Sequence, residues 1–345
     1  MARNVLIASY LEPELVAQIA AVSGNVQVQY RPDLIAPPRF VADHIGGAFE
    51  RTPKQEREWQ ALLRQAEILF DFDRTHMQDL PDLAPNLKWI QTTSSGVGQT
   101  VRKFNYAERF SSLAITTARG VHAQPLAEFC LMVMLAFYKE WNLMQDQQRR
   151  KEWSRFSGTD LCGRTVTIVG LGRIGTETAR VCRALRMNVN GIKRDIDGIA
   201  PDSLHVDKLL SEDKLDTVLP ETDVLIVVVP HTPETEKMIG RQQLERLKPG
   251  AILINIGRGP VIDEAALIDV LQSGHLLGAG LDVFEEEPLP AASPLWTMPN
   301  VIVSPHSGST SDGENGRITE LFCRNLRSYL RGEPMGNVLD MARLY

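Results

Sequence analysis

A glycine-rich turn near the middle of the chain sets narrow limits on its fold. Gly170, Gly172 and Gly175 follow the strand-like run TVTIV and open the helix-like run TETARVCRAL. Gly-x-Gly-x-x-Gly spacing between a strand and a helix is the fingerprint of a βαβ unit that binds a dinucleotide pyrophosphate. The first glycine permits the tight turn, the second lets the backbone approach the phosphates, and the third allows close helix–strand packing. The sequence therefore predicts a doubly wound nucleotide-binding domain.

Short apolar runs around this turn predict the strands of one parallel sheet. The predicted strands are residues 165–170, 187–192, 223–229, 251–256, 278–284 and 300–305. Continuous apolar runs are typical of strands buried on both faces. Helical periodicity separates them, for example at 176–185 and 264–272. We therefore expect an α/β domain covered by helices on both faces.

The first part of the chain predicts a second α/β sheet. Its predicted strands are residues 5–8, 66–72 and 87–92. Its predicted helices are residues 15–21 and 54–65. A further helix is predicted near the C-terminus, at residues 313–330. A looser segment rich in proline and glycine, residues 31–52, separates the first elements. Strands that alternate with helices indicate a parallel sheet here too.

Residues 124 to about 153 predict one long helix, apolar in its first half and polar in its second. A helix of that length suits bridging between domains or packing across a dimer axis. Its most apolar part, residues 129–137, is much shorter than the ~20 residues that a membrane span needs. We therefore interpret it as a buried helix and expect no membrane partner.

Composition excludes some partners. The formal net charge of -6 is atypical of proteins that bind nucleic acid or a membrane surface. The four cysteines are scattered and predict reduced thiols, with Cys130 and Cys182 in the core. The N-terminal run MARNVLIASYLEPEL is broken by proline and glutamate, unlike a signal peptide. We expect a cytoplasmic protein.

The end of the second predicted strand bears on which dinucleotide binds. An acidic residue usually holds the ribose 2′-hydroxyl of NAD about 20 residues after the glycines. Here Lys193 and Arg194 occupy that place, and two cations can pair with a 2′-phosphate. We predict that NADP(H) is preferred and NAD(H) is possible. In the alternative interpretation both cations are solvated and Asp195 reaches the ribose.

Three polar side chains follow predicted strands, where ligands bind in open α/β sheets. Arg258 follows AILINI, Glu287 follows GLDVF, and His306 follows NVIVS. An arginine pairs bidentately with a carboxylate, and an imidazole exchanges a proton near physiological pH. A neighbouring glutamate would favour imidazolium and fix the ring tautomer. Taken singly, each residue has a plainer interpretation. Arg258 could form a surface ion pair, Glu287 could belong to a solvated acidic run, and His306 could be a turn residue. Together they suit reduction of a 2-keto acid.

These stretches resemble the D-isomer-specific 2-hydroxyacid dehydrogenase family. The matching motifs are VGLGRIG, VVVPHTPET, LINIGRGPVIDEAALIDVLQSGHLLGAGLDVFEEEP, SPLWTMPNVIVSPHSG and NLRSYLRGEP, so the resemblance is specific from Ile115 onward and loose before it. It implies that Arg258 orients the substrate, Glu287 tunes the histidine and His306 is the acid/base. It also implies that backbone amides of the Ser95-Gly96-Val97 turn bind the substrate carboxylate. The cofactor contacts that we carry over are Arg173, Ile174, Thr235, Ile256, Gly257, Asp282, His306 and Gly308.

The resemblance also implies an architecture: a Rossmann-type cofactor domain, residues 119–309, inserted into a discontinuous flavodoxin-like substrate domain, residues 1–118 and 310–345. Hinges are expected near residues 118–124 and 308–313, and similar proteins are usually homodimers. The sequence departs from the family's pattern in two places: cations stand at 193–194, where the family commonly has an acid, and the 31–52 segment looks longer than usual.

Among the family's activities, reduction of glyoxylate, hydroxypyruvate or a broader 2-keto acid fits best, and phosphite oxidation stays open. A cofactor-sensing binding protein of the corepressor type is the alternative from another class. We expect no metal site, because the histidines show no paired ligand spacing.

Overall fold

The computed structural model describes residues 2–110 and 112–341. The chain folds into two units, each built around its own parallel sheet. Unit 1 comprises the residues up to Val121 together with those from Thr310 onward, and unit 2 runs from His122 to Ser309. No helix of the described residues is both long enough and apolar enough to cross a membrane.

Unit 1 contains a five-stranded parallel sheet. Its strands are β1 (Arg3–Ile7), β2 (Val26–Gln29), β3 (Ile68–Phe70), β4 (Trp89–Gln91) and β5 (Ala114–Thr116). Its helices are α1 (Pro13–Ala20), α2 (Pro53–Gln65), α3 (Leu80–Leu83), α4 (Gly98–Lys103), α5 (Tyr106–Arg109) and α12 (Glu314–Arg331). The spatial order β2-β1-β3-β4-β5 is that of flavodoxin-like folds, in which the order reverses between β1 and β3.

Unit 2 contains a seven-stranded parallel sheet. Its strands are β6 (Thr165–Val169), β7 (Asn188–Ile192), β8 (Lys208–Leu210), β9 (Val224–Val227), β10 (Ala251–Asn255), β11 (Leu276–Leu281) and β12 (Val301–Val303). Its helices are α6 (Ala123–Tyr138), α7 (Trp141–Arg150), α8 (Arg173–Ala184), α9 (Leu215–Val218), α10 (Arg241–Arg246) and α11 (Glu264–Gln272). The order β12-β11-β10-β9-β6-β7-β8 is the Rossmann order with a switch between β6 and β9. The predicted fold class, two doubly wound parallel-sheet α/β units, is confirmed.

Alternating residues of the strands fill two cores in each unit. On β10, Leu253 belongs to one core of unit 2, whereas Ile252 and Ile254 belong to the core on the other face. Successive side chains of a strand point to opposite faces, so a strand that is apolar at every position is covered on both sides. That explains the continuous apolar runs of the sequence.

Helix α12 returns to the sheet of unit 1 through aromatic contacts. The rings of Phe322 and Trp89 stack with centroids 5.0 Å apart, and Phe70 meets Phe322 edge-on at 5.3 Å. The amide of Asn325 donates to the side-chain oxygen of Gln91, a fully buried residue of β4. The C-terminal helix thus supplies one face of the sheet that the N-terminal residues build.

The single long helix predicted for residues 124–153 is wrong. Helix α6 ends at Tyr138, Glu140 adopts a left-handed backbone with φ of 57°, and α7 begins at Trp141. The amide of Thr159 donates to the carbonyl of Tyr138 at 2.7 Å, an acceptor that a continuous helix would use itself. The apolar half is held against the sheet, whereas α7 has no buried residue that would keep it in line.

Candidate active site

The turn that carries His306 is held by one buried carboxylate. Asp282 follows β11 and is 2% exposed. Its Oδ1 accepts hydrogen bonds from the Ser304 hydroxyl at 2.6 Å, the Ser307 amide at 2.9 Å and the Gly308 amide at 2.7 Å. The Asp282 carbonyl accepts the His306 amide at 3.0 Å. These bonds fix a turn in which His306 has a left-handed backbone, with φ of 54°.

Glu287 pairs with the imidazole of His306. The distance from Glu287 Oε2 to His306 Nδ1 is 2.8 Å, and the Phe284 amide donates to Glu287 Oε1 at 3.1 Å. Because Nδ1 faces the carboxylate, the ring leaves Nε2 for exchange with another group. Both side chains are partly open to solvent, with 49% of His306 and 37% of Glu287 exposed.

Arg258 follows β10, the neighbour of β11 in the sheet. Buried Asn255 holds its turn by accepting the Gly257 amide at 3.1 Å and donating to the Arg258 carbonyl at 3.2 Å. The Arg258 guanidinium donates to the Gly257 carbonyl at 2.6 Å, and no described residue forms an ion pair with it. The side chain is exposed.

The Arg258 turn packs against the segment that holds Glu287. A Cβ on Gly259 would stand only 1.8 Å from the Phe284 carbonyl oxygen, so the two backbones are in direct contact. The carboxyl ends of β10, β11 and β12 therefore bring Arg258, Glu287 and His306 to one edge of one sheet, as their positions after strands predict. No hydrogen bond or ion pair links the guanidinium to the other two in the described residues.

The glycine-rich turn lies on the same edge, at the switch between β6 and β9. Gly170 has φ of 107°, which side-chain residues rarely adopt, and a Cβ on Gly175 would stand 2.0 Å from the Gly170 carbonyl oxygen. Gly172 has nothing within 4 Å of its Cβ position, and no side chain caps the N-terminus of α8 that it precedes. This open cradle before a helix of three turns fits a pyrophosphate, because helix N-termini favour anions.

Other positions that the resemblance assigns to cofactor binding also lie on this edge, and they differ in burial and in hydrogen bonding. Ile256 is 5% exposed and Thr235 is 3% exposed, and the Thr235 hydroxyl donates to the Pro230 carbonyl at 2.7 Å. Arg173 is exposed and Ile174 half-buried at the start of α8. Thr235 therefore orders the turn after β9 through its own hydrogen bonds, a role the motif does not reveal.

The two cations follow β7. Lys193 is half-buried and Arg194 is exposed, with its Nε 3.7 Å from a carboxylate oxygen of Glu212. The side chain of Asp195 accepts the Asp197 amide at 3.3 Å, which turns it toward its own loop.

The Ser95-Gly96-Val97 turn belongs to unit 1 and follows β4. The amide of Gly96 contacts the Ser94 hydroxyl at 3.3 Å, and the Thr92 hydroxyl donates to the Ser94 carbonyl at 2.7 Å. Ser95 and Gly96 are exposed and Val97 is buried.

Sequence reasoning missed the residues that hold the site. Asn255 ends β10 and Ser304 follows β12, and both lie inside motifs that match the family, but the resemblance assigned a role to neither. A polar residue at the end of an otherwise apolar strand was the available indication, because a buried polar group needs partners there.

A Rossmann-order sheet with a glycine-rich turn at its switch point is the architecture of dinucleotide-dependent dehydrogenases. The family model for the D-isomer-specific 2-hydroxyacid dehydrogenase NAD-binding domain matches residues 131–308. A glyoxylate/hydroxypyruvate reductase B of Yersinia pestis is 36% identical over 84% of this chain and 88% of the relative.

Solved structures agree with that assignment. A D-isomer-specific 2-hydroxyacid dehydrogenase family protein from Aeromonas salmonicida superposes with a TM-score of 0.79 at 28% identity, covering 99% of this chain and 100% of the other. An enzyme of the same description from Xanthobacter autotrophicus, solved with NADPH and MES, gives 0.75 at 26% identity, covering all of both chains. The chain belongs to the D-isomer-specific 2-hydroxyacid dehydrogenase family. It is an NAD(P)-dependent oxidoreductase.

Proposed function

We propose that this enzyme reduces a small 2-keto acid, such as glyoxylate or hydroxypyruvate, to the 2-hydroxy acid, with NADPH preferred. The observation that carries the proposal is the 2.8 Å pair between His306 and Glu287 beside Arg258 on the sheet edge that also bears the glycine-rich turn. The reductase relative in Yersinia pestis supports the substrate class.

Each side chain has a defined task in this proposal. The Arg258 guanidinium binds the substrate carboxylate through parallel N–H groups. His306, protonated at both nitrogens, donates the Nε2 proton to the carbonyl oxygen, and Glu287 stabilises the imidazolium through Nδ1. When bound, the nicotinamide supplies the hydride to the carbonyl carbon. Oxidation of a 2-hydroxy acid runs through the same groups in reverse.

The cofactor would be held by the open cradle of the glycine-rich turn. Backbone amides at the start of α8 would bind the pyrophosphate, and Lys193 and Arg194 would pair with the 2′-phosphate of NADPH. The relative from Xanthobacter autotrophicus was solved with NADPH, which supports this choice. Arg173, Ile174, Thr235, Ile256, Gly257, Asp282 and Gly308 remain proposed cofactor contacts, and the amides of Ser95–Val97 remain the proposed site for the substrate carboxylate.

Turnover with purified protein tests the proposal. NADPH consumption with glyoxylate and hydroxypyruvate is measured for the wild type, for His306→Gln and for His275→Gln. His275 lies before β11, at the opposite end of the sheet, and is the matched control. His306→Gln should lower kcat by about 10²–10⁴-fold, the usual worth of a positioned proton donor. Equal activity of the two variants would remove His306 from the mechanism. An inactive wild type that still binds coenzyme would favour the corepressor-type alternative.

Coenzyme choice is tested separately. kcat/KM for NADPH and NADH is compared in the wild type and in a variant with Lys193→Gln and Arg194→Gln together. We expect the preference for NADPH to fall by at least about tenfold, since hydrogen bonds to charged groups contribute about 1.5–3 kcal/mol. Lys151→Gln and Arg155→Gln together, at exposed positions at and after the end of α7, control for the loss of two positive charges. A wild type that favours NADH would refute the assignment.

We also propose a homodimer. Helices α6 and α7 expose large apolar side chains to solvent: Met132, Leu135, Trp141 and Met144. Trp153, just after α7, is 98% exposed. Such surfaces mark interaction sites more often than chance, and a second copy of the chain is the partner that the family resemblance implies. Light scattering of the wild type and of Met132→Glu tests this, and a wild type that scatters as a monomer would contradict it.

A further inference from the structure

The switch point of unit 1 carries an arginine that the proposed chemistry does not use. The strand order reverses between β1 and β3, and open α/β sheets bind ligands beside the carboxyl ends of the strands at such a point. Arg74 lies in the loop that follows β3. Its side chain is 42% exposed, so the guanidinium is open to a ligand.

The guanidinium of Arg74 is anchored at one end only. Its Nε donates to the His44 carbonyl at 3.2 Å. Its one ion pair with a described residue is a long contact of 3.8 Å from Nη2 to Asp71 Oδ2. A guanidinium has five N–H donors, and no hydrogen bond to a described residue uses those on Nη1 or Nη2. Most of the donors therefore remain available on a side chain that is already oriented.

The carbonyl that anchors Arg74 belongs to a loop that is held by internal hydrogen bonds. The imidazole of His44 is half-buried, with Nδ1 3.1 Å from the hydroxyl of Ser9, which follows β1. Buried Asp43 accepts the amides of Ile45 and Gly46 at 3.1 Å each and the Nε of Arg39 at 2.7 Å. The loop within the long 31–52 segment is thus fixed by its own hydrogen bonds. This loop therefore orients Arg74 through the His44 carbonyl.

The loop that carries Arg74 is linked to the turn proposed for the substrate carboxylate. Asp71 Oδ1 accepts the Thr93 amide at 3.4 Å, two residues before Ser95. Because β3 and β4 are neighbours, their ends are about 5 Å apart. A substrate with its first carboxylate over β4 and its substituent extending toward β3 would bring a second anionic group to Arg74.

Resting on the proposed function, we propose that Arg74 is a specificity-determining residue that binds a distal carboxylate, so that 2-keto dicarboxylates are the preferred substrates. The rival occupant is an apolar substituent, because Phe40, Val41 and Ile45 are exposed on the same loop. The oriented guanidinium favours the anion, since charge-assisted hydrogen bonds are about twice as strong as neutral ones.

Shape-matched substrates test this inference. Reduction of oxaloacetate and of 2-oxoglutarate is compared with that of analogues in which an isopropyl group replaces the distal carboxylate. Glyoxylate, which has no substituent, is the reference for the chemical step. kcat/KM is measured for the wild type, Arg74→Gln, Arg74→Lys and Arg57→Gln, the last at an exposed position of α2 that controls for net charge.

We expect the wild type to favour the dicarboxylates by at least about tenfold, because the apolar analogues cannot form the charge-assisted hydrogen bonds to Arg74. Arg74→Gln should abolish the preference while glyoxylate turnover is kept, Arg74→Lys should restore part of it, and Arg57→Gln should leave it unchanged. A preference for the apolar analogues, or one for dicarboxylates that survives in Arg74→Gln, overturns the inference and leaves the proposed function standing. If the enzyme reduces none of the 2-keto acids, glyoxylate included, both the inference and the proposed function are overturned.

Discussion

His76 of unit 1 lies between two carboxylates. Its Nδ1 is 2.8 Å from Asp73 Oδ2, and its Nε2 is 2.9 Å from Glu56 Oε1. Asp73 is 2% exposed and also accepts the indole N–H of Trp59 at 2.8 Å. The hydrogen bond to Asp73, together with the charges of Asp73 and Glu56, raises the pKa of His76 above its ordinary value of 6.5.

This arrangement predicts how stability depends on pH. A raised pKa in the folded state means that the imidazolium stabilises the fold fully below about pH 6.5, and that this contribution is lost as pH rises through the higher folded value. The free-energy difference between wild type and His76→Gln should therefore be largest below about pH 6.5 and shrink at alkaline pH. Denaturant unfolding across that range measures it. A difference that grows with pH would contradict the assignment.

Glu287 offers a prediction about catalysis. Glu287→Gln keeps the shape of the side chain and removes the charge that faces His306 Nδ1 at 2.8 Å. We expect kcat to fall about ten- to hundredfold, since hydrogen bonds to charged groups contribute about 1.5–3 kcal/mol. Coenzyme binding should be unchanged. Neighbouring Glu286→Gln is the control, and equal kcat in the two variants would mean that Glu287 does not act through the imidazole.

At the scale of elements, the turn after β12 depends on Ser304. Its hydroxyl donates to buried Asp282 at 2.6 Å, whereas the Ser307 hydroxyl faces the exposed carbonyl of Pro305. Ser304→Ala should lower kcat by at least about tenfold, because a displacement of 1 Å at a catalytic group costs about a hundredfold. Ser307→Ala, which removes a hydroxyl from the same turn, should retain activity. If both variants are equally active, Asp282 positions His306 without help from Ser304.

Two glycines of the glycine-rich turn are expected to have different roles, one in folding and the other in coenzyme binding. The Cβ of Gly175→Ala would stand 2.0 Å from the Gly170 carbonyl oxygen, so this variant should lose stability. Gly172→Ala meets nothing within 4 Å and should fold as the wild type does, yet bind NADPH more weakly. Thermal unfolding with and without NADPH compares the two. Normal coenzyme binding by Gly172→Ala would argue that the pyrophosphate lies elsewhere.

Elements with strong local patterns could be predicted from the sequence, and those defined by tertiary contacts could not. Helix α11 was predicted with its observed bounds, and β6 within one residue, because apolar periodicity and turn residues mark them. Strands β2, β5 and β8 were missed because they are edge strands of three or four residues that include polar residues, whereas the equally short edge strand β12 is apolar throughout and was predicted. The break between α6 and α7 depends on Thr159, which is distant in sequence. The same holds within the site: positions after strands predicted that Arg258, Glu287 and His306 lie at one sheet edge. The hydrogen bonds by which Asp282 holds the His306 turn became visible only in the fold.

At the scale of the whole molecule, unit 1 needs residues from both ends of the chain. Phe322 is fully buried between Trp89 and Phe70. Phe322→Ala should destabilise unit 1 by about 3–5 kcal/mol, the usual cost of a large aromatic truncation in a core. Phe156→Ala, at a partly exposed phenylalanine, is the control. Denaturant unfolding followed by hydrogen exchange of β3 and β4 measures the change, and unaltered protection of these strands would show that α12 contributes little.

The return of α12 to the N-terminal sheet also orders events during synthesis. Unit 2 is continuous in sequence, so the ribosome has delivered all of it once Ser309 has emerged, whereas β3 and β4 still lack the aromatic ring that covers them. Domains generally fold as units while the chain is being made. The nascent residues up to Val121, about a third of the chain, must therefore wait with apolar strands uncovered until Phe322 has been translated. Chaperone demand should peak in that interval and end when Phe322 leaves the exit tunnel.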